Sequence, residues 1–152
     1  CPNAAGLKFA QQSDIATRTL DHKNFASREA FDEQLMKLIN SFTPDYVVLA
    51  GFMRILSAGF VKHYANKLIN IHPSLLPKFK GMHTHKRAIE AGEKEHGATV
   101  HFVTEELDAG PVILQAKVPV LENDTEEALA ARVRIEEHKL YPDALRLLIQ
   151  QN

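Results

Sequence analysis

Asn70 and His72 stand two residues apart in Asn70-Ile-His-Pro-Ser74. They end the run Lys67-Leu-Ile-Asn-Ile71, which reads as a strand. Residues two apart on a strand point to one face. The carboxyl end of a strand is where open α/β sheets bind ligands. An amide donor beside an imidazole suits acyl chemistry, because the amide can hold a developing oxyanion while the imidazole carries a proton. The same residue types also suit a plain turn after the strand. A second strand exit carries Leu107-Asp-Ala-Gly-Pro111. Asp108 there can orient His72 and favour its charged form. It can equally serve as an Asx-turn aspartate ahead of Gly110-Pro111. Spacing alone does not bring Asp108 and His72 together.

Glu137 falls on the apolar stripe of a long helix, with Leu129, Val133 and Leu140. A carboxylate there needs a partner or a polar ligand, or it snorkels to the edge. Between Pro73 and Ile89 the charged residues are Lys78, Lys80, Lys86 and Arg87, without an acid. That excess can hold an anion or form a solvated basic face. Eight histidines invite a metal reading, with His83, His85 and His96 as ligands, but no H-E-x-x-H pattern supports it. No metal is expected. No G-x-S-x-G elbow exists, and the single Cys1 lacks the surroundings of a thiol nucleophile.

Periodicity and punctuation give the secondary structure around these residues. Ser27 caps a helix with Phe31, Leu35, Leu38 and Phe42 on one side, and Pro44 stops it. Residues 4–12 read as a helix and Ile15–Leu20 as a short strand. Asp45–Gly51 reads as a strand buried on both faces. Ser57 caps a short helix with Phe60, Val61 and Tyr64 inward. Residues 73–82 form a loop, and Thr84–Ala91 a helix that ends at Gly92. Gly97–Val103 and Val112–Val120 are strands. Asp124 opens the long helix, which Pro142 ends or kinks. Alternating helices and strands predict an α/β fold with a mostly parallel sheet.

Composition narrows the class. The chain has 152 residues, 45% hydrophobic and 24% charged, which fits one globular domain rather than a disordered chain. Eighteen basic against nineteen acidic residues leave a net charge of −1, so no global basic field calls for nucleic acid or a membrane surface. No apolar run approaches the roughly 18 residues of a membrane helix. One cysteine excludes an internal disulfide framework and fits a reducing, cytoplasmic location. Seven scattered glycines form no G-x-G-x-x-G or Walker loop. The chain opens on Cys1 rather than Met, which predicts a processed start or a piece of a longer chain.

Four segments together carry a resemblance. They are Ala50-Gly-Phe-Met-Arg-Ile-Leu56, Asn70-Ile-His-Pro-Ser-Leu-Leu-Pro77, Gly81-Met-His-Thr-His85 and Gly97-Ala-Thr-Val-His-Phe-Val-Thr-Glu-Glu-Leu-Asp-Ala-Gly-Pro111. With them the chain resembles the folate-dependent phosphoribosylglycinamide formyltransferases, over most of its length. The resemblance implies a three-layer, Rossmann-like formyltransferase fold in a single domain, residues 1–152. The family's opening strand and glycine-rich phosphate turn would be missing from the N-terminal side, and the C-terminal side would stop early. It implies formyl transfer from 10-formyltetrahydrofolate to the amine of glycinamide ribonucleotide, by a monomer or homodimer.

The same resemblance makes Asn70, His72 and Asp108 the catalytic trio. Arg28, Met53, Arg54, Ile55, Leu56, Val61, Val103 and Thr104, with Asn70 and Asp108, would hold the folate. Pro73, Gly81, Met82 and Glu137 would meet the acceptor. The alternatives are a relative that hydrolyses formyltetrahydrofolate or formylates another amine, and a folate-binding fragment without catalysis. The His83/His85 pair and the strand holding His101 favour the glycinamide enzyme.

Overall fold

The computed structural model describes residues 1–52 and 54–151. They divide into two compact units, one of residues 1–44 and 55–60, the other of residues 45–54 and 61–152.

The first unit holds α1 (Gly6–Gln12), a 3-10 turn at His22–Asn24 and α2 (Arg28–Asn40). Ser27 caps α2 as expected, its hydroxyl accepting the Ala30 N–H at 3.1 Å. Phe31 is buried, with the Phe25 ring edge-on at 5.5 Å. Phe42 lies beyond the helix end and is exposed. Asp32 is also buried, because its carboxylate accepts the Ser57 N–H at 2.6 Å. Ser57 in turn caps α3 (Ala58–His63), its hydroxyl accepting the Phe60 N–H. Phe60, Val61 and Tyr64 are all buried, as the spacing requires. Residues 15–20 form no strand, since a strand needs a ladder and none of the described residues pairs with them.

The second unit is a four-stranded sheet in the order β1 (Val47–Val48), β2 (Leu68–His72), β3 (Glu95–Phe102), β4 (Val112–Pro119). α4 (Thr84–Glu90) and α5 (Glu126–Gln150) complete it. β1 and β2 are parallel, whereas β2–β3 and β3–β4 are antiparallel. The expected parallel pairing is therefore confined to β1–β2. Residues 103–111, which join β3 to β4, are fewer than the dozen or so that a parallel crossover needs. The Asp45–Gly51 run makes only a two-residue strand, and Val48 is exposed. Among the described residues, β1 has β2 as its one neighbour in this sheet.

The core forms where Ile69, Ala98, Val100 and Val118 of the sheet meet Ala88 of α4 and the stripe Leu129, Val133, Leu140, Ala144 and Leu148 of α5. Thr125 caps α5, its hydroxyl accepting the Ala128 N–H at 3.1 Å. Asp124, the expected cap, is engaged one step earlier. Its carboxylate accepts the Leu121 N–H and two hydrogens of Arg132, and that guanidinium holds its carboxyl below the usual range. Pro142 lies inside α5 without ending it. The buried residues on both sides, Leu140 and Ala144, outweigh one lost helix hydrogen bond. Tyr141 beside it donates its hydroxyl hydrogen to the Leu49 and Ile69 carbonyls, which fixes α5 to β1 and β2.

Candidate active site

Antiparallel pairing puts Asn70 opposite His101 and His72 opposite Thr99. Opposed residues share a face, so one side of β2–β3 is polar while Ile69, Val100 and Phe102 turn toward the helices. Asn70 and His72 therefore share a strand face, as their spacing requires.

Thr99 organises the segment after His72. Its hydroxyl donates to the Ser74 carbonyl at 2.7 Å and accepts from the Leu76 N–H at 3.1 Å and the Gln115 amide at 2.9 Å. Ser74 donates to the Lys78 carbonyl, and Thr84 to the Pro73 carbonyl. Arg87 donates to the Lys80 and Met82 carbonyls at 2.7 and 2.9 Å, with its guanidinium over the Phe79 ring. The 73–83 loop is thereby pinned at several points. Phe79 and His83 take left-handed backbone angles, φ 55° and 56°, a strained state that surrounding contacts must hold.

The pinned loop delivers two groups to the site. The Phe79 carbonyl accepts from Nε2 of His72 at 2.9 Å. The Gly81 N–H donates to Oδ2 of Asp108 at 2.8 Å. The other oxygen of Asp108 lies 3.6 Å from Nδ1 of His72, and both side chains are less than a tenth exposed. The structure thus joins the two residues that spacing left apart. Its cause is Gly110, where a Cβ would come within 1.7 Å of the Phe102 carbonyl. Only glycine lets the 103–111 link lie so close to β3 and turn Asp108, at φ 50°, toward His72.

Glu137 is half-buried, and burial raises its pKa, opposed by Arg134, His138 and His72 in that order. Val61, Val103 and Thr104, expected on the folate side, share one cavity of about 180 Å³ with Phe102 and Pro111. Pro73 and Gly81 belong to the loop just described, whereas Met82 is exposed. Arg54 is partly buried in this unit. Arg28, Ile55 and Leu56 belong to the other unit. Arg28 pairs with Glu29, and Ile55 is exposed. The expectation for Met53 lies outside the described residues.

The basic 73–89 segment is offset by acids from elsewhere. Lys78 meets Glu93, Lys80 meets Glu106 and Lys86 meets Glu90. Nδ1 of His85 lies 3.0 Å from Nε2 of His96, so one neutral imidazole donates to the other. No third ligand-type side chain joins them among the described residues. Thr99, Gln115 and Phe79 had no place in the site expected from sequence, and Arg87 entered only as one of four basic residues that can hold an anion. The first two left a weak signal, as polar residues flanked by the apolar Ala98, Val100, Leu114 and Ala116. Phe79 acts through its backbone, which leaves none.

Comparison with known proteins gives the family. The formyl transferase family matches residues 1–145. Phosphoribosylglycinamide formyltransferase of Escherichia coli strain K12 is 60% identical over 140 residues, 92% of this chain and 66% of that protein. The trifunctional purine biosynthetic protein adenosine-3 of Drosophila melanogaster is 49% identical over 97% of this chain and 11% of its own length. Glycinamide ribonucleotide transformylase 1 of Symbiobacterium toebii superposes with a TM-score of 0.93 at 44% identity, covering 98% of this chain and 70% of that one. The Coxiella burnetii phosphoribosylglycinamide formyltransferase superposes at 0.88 with 52% identity, covering 94% and 67%. The chain belongs to the formyl transferase family, with its Rossmann-like α/β fold. It spans about two thirds of the Escherichia coli relative.

Gly110→Ala is expected to lower the melting temperature and to speed hydrogen exchange of the Gly81 amide, as Asp108 is drawn away. An unchanged Gly81 exchange rate would contradict the link. A second expectation concerns His96, whose pKa falls from 6.5 to about 4, first through burial and then through the charge of His85. The unfolded chain binds more protons between those values. The stability from burying neutral His96 is therefore complete above about pH 6.5 and is lost as pH falls toward 4, by roughly 3 kcal/mol at most. Urea unfolding at stepped pH should show that loss, and His96→Gln should flatten it.

Proposed function

We propose that this chain is the larger part of an enzyme that transfers the formyl group of 10-formyltetrahydrofolate to the amine of glycinamide ribonucleotide. We read it as a single formyltransferase domain of a cytoplasmic monomer or homodimer that serves purine synthesis. The observation that carries this reading is the buried His72–Asp108 pair beside Asn70, on a chain whose relatives bear that enzyme's name.

The amine nitrogen attacks the formyl carbon, and the carbonyl electrons move onto oxygen. Asn70 donates a hydrogen to that oxygen, and His72 in its charged form stabilises it further. Nε2 of His72 is held by the Phe79 carbonyl. At 3.6 Å from the carboxylate, the Nδ1 hydrogen is paired electrostatically rather than tightly hydrogen-bonded, so the ring's charge stays available to stabilise the oxyanion through its field. One such donor contributes about 3–4 kcal/mol. Collapse of the intermediate breaks the bond to the folate nitrogen, which leaves with the electron pair. Asp108 relays the proton lost by the amine to that nitrogen.

Val61, Val103 and Thr104 would line the folate side with Arg54. Pro73, Gly81, Met82 and Glu137 would meet the acceptor, Glu137 through its ribose hydroxyls. The test measures tetrahydrofolate release with and without glycinamide ribonucleotide. Acceptor-dependent release supports transfer, whereas acceptor-independent release means hydrolysis and overturns it. Asp108→Asn should lower kcat by roughly 10²–10⁴-fold with little change in folate affinity. Asn70→Ala should lower it by about 10²–10³-fold. Near-normal kcat in either variant would remove that residue from the mechanism.

A further inference from the structure

His101 is 2% exposed, and its Nε2 is buried without a hydrogen-bond partner among the described residues. Its Nδ1 donates to the Phe102 carbonyl at 2.9 Å. A carbonyl accepts only, so Nδ1 carries the hydrogen and Nε2 of the neutral ring is a bare acceptor. Burial lowers the pKa of this ring, opposed by the Phe102 carbonyl and by Asp108, while the charge of His72 acts with burial. Buried acceptors are rarely left unused, since each gives up hydration for nothing.

The sheet indicates what this acceptor serves. Asn70 lies directly across the β2–β3 ladder on the same face, and opposed residues of an antiparallel pair have Cβ atoms about 4.5–5.5 Å apart. On the other side of His101 the β3–β4 register slips. Val100 faces Leu114 but His101 faces Val112, so Ile113 is the extra residue of a bulge. Bulges re-aim a neighbouring side chain. Here the bulge falls beside the one buried imidazole that faces Asn70.

We propose that His101 is a positioning residue for Asn70: no hydrogen bond joins the two in this structure, but rotation of the Asn70 carboxamide would let the open Nε2 accept one of its hydrogens while the other is presented to the formyl oxygen. The inference rests on the proposed formyl transfer for its purpose, but the contact stands or falls alone. It explains why the ring is kept neutral beside a site that uses a charged imidazole. A protonated His101 would offer a hydrogen, and the Asn70 carboxamide would then turn its oxygen toward the reacting carbonyl. That would repel the oxyanion it must hold.

The contact is read directly in the full chain labelled with ¹⁵N. At pH 7, His101 should be the Nδ1–H tautomer, and a scalar coupling should cross the hydrogen bond between Asn70 Nδ2 and His101 Nε2. Sharp resonances without that coupling, an Nε2–H tautomer, or a doubly protonated ring would overturn the proposal. His101→Leu should shift the Asn70 side-chain amide signals and speed their exchange with water. Where transfer is measured, it should cut kcat by about 10- to 100-fold with both KM values nearly unchanged. His101→Gln, which keeps an acceptor, should recover most of the rate. If His101→Leu does not fold, the coupling in the unsubstituted chain still decides. A chain with the coupling but no transfer would count against the proposed reaction and leave the contact standing.

Discussion

An imidazole and a carboxylate, each less than a tenth exposed and 3.6 Å apart, are the constraint that shapes the remainder of the site. Burying ionisable groups is costly unless partners replace the lost water. Here each atom is met. One carboxylate oxygen takes the Gly81 N–H, the other faces the ring, and the far ring nitrogen gives its hydrogen to Phe79. Removing any of these would leave a buried polar group unsatisfied, so the loop, the ring and the carboxylate hold one another.

That mutual hold explains why so much of the second unit is polar and local. The 73–83 loop adopts strained angles at Phe79 and His83, and isolated contacts would not hold them. Thr99 and Gln115 anchor its start to β3 and β4, while Arg87 anchors its end from α4. Beneath it, the apolar stripe of α5 on Ile69 and Val100 makes the platform rigid. Active-site geometry tolerates little error, since small displacements cost large factors in rate. A rigid sheet end with a stitched loop meets that demand.

Much of this was legible in the sequence, and the parts that were not share a cause. The period of two put Asn70 and His72 on one face, and Ser27 and Ser57 announced their helices. Apolar spacing identified the α5 stripe and the place of Glu137 on it. The sense of pairing was hidden, because alternation of helix and strand does not reveal that β3 and β4 run antiparallel. The 45–51 run looked like a fully buried strand, yet its placement at one side of the sheet left Val48 exposed. The meeting of His72 with Asp108 depends on the backbone at Gly110 grazing the Phe102 carbonyl, a tertiary contact that no local pattern encodes. Residues acting through backbone atoms, Phe79 above all, were invisible to any reading by side-chain type.

The His72–Asp108 pair and Asn70 are proposed to form the place where a formyl donor is held and attacked. Adding an unreactive analogue of 10-formyltetrahydrofolate to the labelled chain, and mapping the shifted amide and side-chain resonances, tests that placement without requiring turnover. The expected result is saturable change centred on Asn70, His72, Gly81 and Asp108, extending to Val103 and Thr104. Saturable change centred elsewhere, with these residues unmoved, would contradict it.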